Sequence, residues 1–325
     1  MFVFLFFIVT LLSTVLSDDT NKTNIAVYWG QNSGGSQKRL SEYCNDDVDI
    51  VLLAFLSSFP TNLELNLASL CADKFSSGLS HCKDVADDIK SCQNKGKKIF
   101  LSMGGLAGKY GFSDDQQAKD FASTLWNKFG GGQDQERPFD DAIIDGFDLD
   151  IEGGNKTGYV ALAKTLKSYF QKDNSKSYYL STSPQCPYPD ALVGDVLSQV
   201  EVDFAFIQFY NNYCDLGKNF NFETWQNYAQ NTSPNKDIKL LVGVLGSQGS
   251  GGSGYQEPSQ VKQNISKIKT SKNFAGISIW DASSAELNVV DNKNYISQMK
   301  GILDDNEGNS NAAKQAKIVA STFIG

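Results

Sequence analysis

Histidine is nearly absent from this chain: His81 is the only one in 325 residues. No Cys-x-x-Cys pair accompanies it. A zinc site draws on cysteine and histidine together, so no metal is expected. A Ser-His-Asp triad would have to rest on His81, which adjoins Cys82 and reads as structural. Basic charge is also short. Lys and Arg number 29 against 37 Asp and Glu, a net charge of −8, which argues against nucleic acid and anionic membrane as partners. Neither a GxGxxG nor a Walker pattern occurs, and no cofactor is expected. The chain shows no heptads and no internal repeat. After the N-terminal run, no apolar stretch is long enough to span a bilayer.

The N-terminal run is itself informative. Residues 1–16 are almost wholly apolar, and Leu16-Ser17-Asp18-Asp19 follows. Residues 1–17 read as a secretion signal, although no Lys or Arg precedes the apolar core. Residues 18–24 then form a short leader. Six cysteines remain, an even number, as suits an oxidising compartment. Spacing alone leaves their pairing open. Sequons at Asn21, Asn155, Asn231 and Asn264 are glycosylation candidates on a secreted chain.

Between residues 25 and 303 lie eight short runs rich in β-branched and aromatic residues. They are Ile25–Trp29, Asp49–Phe55, Lys98–Met103, Ile143–Ile151, Tyr178–Thr182, Val202–Tyr210, Ile238–Val244 and Phe274–Trp280. Helical spacing is clearest at Cys82–Gln93, Asp114–Phe129, Lys156–Lys172, Ser259–Ile268 and Asn292–Leu303. Strands alternating with helices eight times predict an α/β chain folded as a single (β/α)8 TIM barrel. An open doubly wound sheet is the rival, and it lacks its phosphate loop here. Residues 304–325 form a polar, weakly helical tail.

The stretch Asp145-Gly-Phe-Asp148-Leu-Asp150-Ile-Glu152 carries the chemistry. In a strand, Asp148, Asp150 and Glu152 share one face, and Phe147, Leu149 and Ile151 share the other. Neighbouring acids then stand about 6.5–7 Å apart at Cα. Such carboxylates in an apolar strand resist ionising together, so Glu152 is expected to hold a proton with Asp150 beside it. A protonated acid near neutral pH suits glycoside hydrolysis. Two acids side by side on one strand do not flank a bond from opposite faces, so the nucleophile must come from elsewhere.

Tyr28 and Trp29, Tyr210 and Trp280 end strands, where an indole can floor a pyranose ring. Gln208 and Tyr210 share a face, and Asn211 and Asn212 follow. Trp126 reads as core and Trp225 is undecided. Gly246–Gly254 reads first as a flexible loop, with a place on a cleft rim as the alternative.

These residues resemble glycoside hydrolase family 18, the chitinases. The acid run resembles its DxxDxDxE signature, and Ser102-Met-Gly-Gly105 its SxGG motif. Tyr28–Asn32, Gln208–Asn212 and Gly276–Trp280 are similar to the hevamine-like branch, and Pro184–Asp190 to secreted yeast endochitinases. The resemblance runs from about Ile25 to about Leu303. It implies a secreted or wall-associated monomer that cleaves chitin or chitooligosaccharides internally, with the substrate's own 2-acetamido oxygen as nucleophile and an oxazolinium intermediate. Glu152 is then the general acid and base, Asp150 orients the acetamide, Asp148 modulates Asp150, and Tyr210 donates to the acetamide. Trp280 floors the sugar site. Tyr28, Gln208 and Asn211 become substrate contacts, and Ser102 is grouped with them while supporting the acids from the neighbouring strand. The resemblance also implies the disulfides Cys44–Cys92, Cys71–Cys82 and Cys186–Cys214. A non-catalytic sugar-binding protein and an endo-β-N-acetylglucosaminidase acting on N-glycans are the competing expectations.

Overall fold

The computed structural model describes residues 23–305 apart from residue 69. The expectations for the secretion signal, most of the leader, Asn21 and residues 306–325 lie outside the described residues.

All eight predicted strands form. They are β1 (Asn24–Trp29), β2 (Ile50–Phe59), β3 (Lys98–Gly104), β4 (Gly146–Asp150), β5 (Tyr179–Thr182), β6 (Phe204–Gln208), β7 (Lys239–Leu245) and β8 (Phe274–Trp280). Each pairs in parallel with the next. Closure comes from β1 against β8, with Ala26 opposite Ser278, so the sheet is a barrel. Near-continuous apolar runs make such strands, because both faces are covered. Alternation divides them. Ala26, Tyr28, Leu52, Phe100, Phe204 and Phe206 fill the barrel interior. Ile25, Val27, Val51, Leu101 and Phe147 pack outward against the helices.

The helices are α1 (Leu40–Tyr43), α2 (Lys83–Asn94), α3 (Asp115–Phe129), α4 (Tyr159–Lys172), α5 (Gly194–Gln199), α6 (Phe222–Asn231), α7 (Pro258–Ile268) and α8 (Ala282–Leu287), and residues 295–305 are also helical. Asp114 caps α3 by accepting the Gln117 N–H at 2.9 Å, which is why the pattern starts there. The helix before the tail runs to residue 305, slightly past the expected end at 303. The expected start of α4 at Lys156 gives way to Gly158 as the cap, since Asn155 and Thr157 instead form a local turn.

One feature was not expected. Strand β2 continues past the barrel to Phe59, where Glu64–Leu65 pairs with it antiparallel and Lys109–Tyr110 pairs parallel. These additions stand at the C-terminal mouth. The disulfides Cys44–Cys92, Cys71–Cys82 and Cys186–Cys214 are all formed. Trp126 packs in the outer core on Tyr169. Trp225 is fully buried and donates to the Cys186 carbonyl.

Candidate active site

Strand β4 places its acids as the period of two requires. Phe147, Leu149 and Ile151 pack outward, so Asp148, Asp150 and Glu152 point to the barrel axis in ascending order. Asp148 has no solvent exposure. Three hydroxyls donate to it: Ser102 at 2.7 Å, Ser181 at 2.8 Å and Ser183 at 2.9 Å. Burial still outweighs those bonds and pushes its pKa up to about 6. Asp150, one step higher, accepts from Gln208 Nε2 at 3.0 Å. Glu152 reaches the open cleft half-buried.

The Asp150 and Glu152 carboxyls share a hydrogen bond. Burial raises both pKa values, and the charges of Glu152 and Asp148 add to the rise at Asp150. Asp150 is the more deeply buried of the two and lies between two other acids, so the pair resists double ionisation and shares a proton.

Above the pair is a cleft of about 330 Å³. Asp150, Glu152, Gln208, Tyr210, Asn211 and Trp280 all line it. Trp280 is partly exposed, stacked on Phe55 at 5.6 Å with Tyr28 at its edge. The Tyr210 hydroxyl is pushed well above its usual pKa by burial and by the two acids, so it stays a donor. Among the described lining residues, Asp150 and Glu152 are the only carboxylates.

Ser102 and Tyr28 do not line this cleft. Ser102 is fully buried below the acids and spends its hydroxyl on Asp148. Tyr28 is also buried, and its hydroxyl lies 2.6 Å from Ser183 Oγ, behind the cleft surface. Asn211 does reach the cleft, but its Oδ1 accepts the Ser253 N–H at 2.9 Å and its own N–H donates to the Ser253 carbonyl. It therefore ties down the glycine-rich segment, whose Ser250, Gly251 and Gly252 wall the cleft. Part of Gly246–Gly254 thus lies at the cleft rim.

The sequence reading passed over Ser181 and Ser183. Ser181 pairs in register with Asp148, and Ser183 shares its face, so alternation along β5 carried the signal. Gly104 was noticed only as part of a motif. Its φ is +118°, and a Cβ there would lie 2.1 Å from the Asp150 carbonyl oxygen, so only glycine lets β3 approach the acid strand. His81 sits 2.6 Å from Asp140 and stacks on Phe75. Among the described residues no cluster of His, Cys, Asp or Glu fits a metal. No described helix is long and apolar enough to cross a membrane. Among the sequons, Asn155 is exposed. Asn264 lies inside α7 with its amide donating to two carbonyls, and Asn231 ends α6 with its amide on Asn227.

A closed parallel barrel with an acid pair at its C-terminal mouth and an indole beside it defines a narrow class of protein. Residues 24–253 match the family described as glycosyl hydrolases family 18. The chain belongs to that family. It is 55% identical over 300 residues to "Chitinase 3" of Candida albicans, a match covering 90% of this chain and 53% of that protein. The chain thus spans about half the length of the curated relatives it matches. A solved chitinase from Ipomoea carnea superposes with a TM-score of 0.74 at 32% identity, over 86% of this chain and 99% of that one. A xylanase and alpha-amylase inhibitor protein from Scadoxus multiflorus also superposes, with a TM-score of 0.72 at 28% identity, over 87% of this chain and 98% of its own.

Proposed function

We propose that the chain is an endo-acting chitinase that hydrolyses β-1,4-N-acetylglucosamine linkages with retention, using the substrate's acetamide as nucleophile. One observation carries the reading. The cleft offers a pair of hydrogen-bonded carboxyls on a single strand and, among its described lining residues, no carboxylate on the facing wall. Such a pair supplies a proton and an anion, and leaves the attack on the anomeric carbon to the substrate.

In this reading a sugar settles on Trp280 with its acetamide against Asp150 and Tyr210. The acetamide N–H favours ionised Asp150, and exclusion of water from Glu152 favours its neutral form. The shared proton therefore shifts to Glu152. Glu152 delivers it to the glycosidic oxygen as the C1–O bond breaks. The acetamide oxygen bonds to C1, and ionised Asp150 balances the oxazolinium charge. Glu152, now a carboxylate, takes a proton from water, which attacks C1 and reopens the ring. Two inversions give retention. Asp148 sits beneath with three hydroxyl donors, resisting a second negative charge on the pair.

Fold alone does not establish activity, since a protein named as an inhibitor has the same barrel. The intact acid pair and the 55% identity to a chitinase favour catalysis. The apolar first 16 residues and three disulfides favour secretion. Hydrolysis of chitotetraose by the wild type and by Glu152→Gln is the test. The variant should lose about 10²–10⁴-fold in kcat, and the first product should be the β-anomer by NMR. Equal rates for the two proteins, or ready cleavage of cello-oligosaccharides, would remove the assignment.

A further inference from the structure

Glu152 lies two residues beyond the end of β4, past the ladder that aligns the strand. Its N–H finds a different partner. It donates to the Tyr110 hydroxyl oxygen at 3.0 Å. That hydroxyl donates in turn to the Gly105 carbonyl at 2.9 Å. The Gly105 N–H donates to the Asp150 carbonyl at 2.8 Å. These three bonds run from the main chain of Asp150, through the β3 loop, to the main chain of Glu152. The tyrosine ring is held independently of them. It stacks on Phe59 at 5.3 Å and 12°, and Phe59 stacks on Phe121 at 5.1 Å and 7°. Pairing of Lys109–Tyr110 with the outer end of β2 fixes the backbone beneath it.

We propose that Tyr110 is a positioning residue for the acid pair: with Gly105 it braces the main chain on both sides of Ile151 and so sets the separation of the Asp150 and Glu152 carboxyls. The proposal rests on the reading of Glu152 as general acid. A main-chain N–H beyond a strand end is ordinarily free to drift, and a displacement near 1 Å of a proton donor is costly to rate. The brace removes that freedom with a neutral group. Its hydroxyl donates to one main chain and accepts from the other, as only an O–H can at one atom.

Tyr110→Phe removes a single oxygen and leaves the ring stack in place. The expected result on chitotetraose is a kcat lower by about tenfold with KM within about twofold. The alkaline limb of the kcat–pH profile should also move to lower pH. The sign follows from coupling, since each carboxyl raises the other's pKa, and carboxyls that drift apart release the proton earlier. Phe222→Leu, buried in α6 against Phe220 and Phe274, is the packing control. It should lower Tm while leaving kcat and the alkaline limb near wild type, whereas Tyr110→Phe should do the reverse. A Tyr110→Phe enzyme with wild-type kcat and limb overturns the proposal. So does one whose kcat falls with the limb unmoved, or a Phe222→Leu enzyme that reproduces the limb shift. Glu152→Gln separates the failures. If it is inactive while Tyr110→Phe is normal, only the brace falls. If it is fully active, the reading beneath falls too.

Discussion

Gln208 holds Asp150 from the side: its Nε2 donates to Asp150 Oδ1 at 3.0 Å and to the Ser183 carbonyl at 3.1 Å. The amide comes from the end of β6, across the barrel mouth from β4, so it fixes which way the Asp150 carboxyl faces. A hydrogen bond to a charged group contributes about 1.5–3 kcal/mol. Gln208→Leu keeps the approximate volume and removes both donors. Its kcat on chitotetraose should fall about 10- to 100-fold. A rate within twofold of wild type would show that Asp150 is oriented by something else.

Asp148 should leave a signature in stability as well as in rate. Its folded pKa is pushed up to about 6 from a usual 3.8. Between those values the folded chain holds a proton that the unfolded chain has released. Stability from this group is therefore present at low pH and is lost as pH rises through about 6, by an amount on the order of 3 kcal/mol. Asp148→Asn abolishes that titration and turns one acceptor oxygen into an NH2 donor facing serine hydroxyls, so it should be less stable throughout. The Tm gap between wild type and variant should be widest near pH 4 and narrow by a few degrees by pH 7. A gap that widens with pH would contradict the burial argument.

Much of this is legible in the sequence. Eight apolar runs and their helices define the barrel because parallel strands covered on both faces have little else they can be. The acids were legible for a related reason, since three charges at alternate positions in an apolar strand need a cleft. Residues whose role depends on the partner they meet were not legible. Tyr28 carries a hydroxyl suited to touching sugar, yet the barrel interior turns it toward Ser183, below the cleft surface. Tyr110 gives no local signal at all. Its hydroxyl matters because the loop after β3 returns to the extension of β2, and nothing in residues 104–110 announces that return.

Trp280 is supported from beneath by Phe55, with ring centroids 5.6 Å apart at 20°. A platform held that way presents a flat face to a pyranose. Trp280→Ala would remove the apolar floor while leaving the acids untouched. Burial of apolar area at about 25 cal/mol per Å² makes the lost contact worth roughly 2–3 kcal/mol. The value of kcat/KM should drop about 30- to 100-fold, and Trp280→Phe should recover a good part of it. An alanine variant with an unchanged kcat/KM would mean that the sugar does not stack there.

Asn211 ties down the rim of the cleft through Ser253. Its two bonds to Ser253 hold a segment containing five glycines between residues 246 and 254. Glycine gives such a segment more freedom than any other residue would, so fixing it is entropically expensive and depends on tethers. A second tether, Asn288 Nδ2 to the Gly246 carbonyl at 2.9 Å, secures only its start. Asn211→Ala removes the side-chain bond and keeps the main-chain one, and so loosens the far end, where Ser250, Gly251 and Gly252 face the cleft. Limited proteolysis should cut within residues 246–254 several times faster than in wild type. KM for chitotetraose should rise about three- to tenfold, as the loss of one hydrogen bond permits, while kcat stays within twofold. If proteolysis were unchanged, the tether would lie elsewhere. If kcat fell with KM constant, Asn211 would belong with the acetamide, as the family resemblance first suggested, and not with the rim.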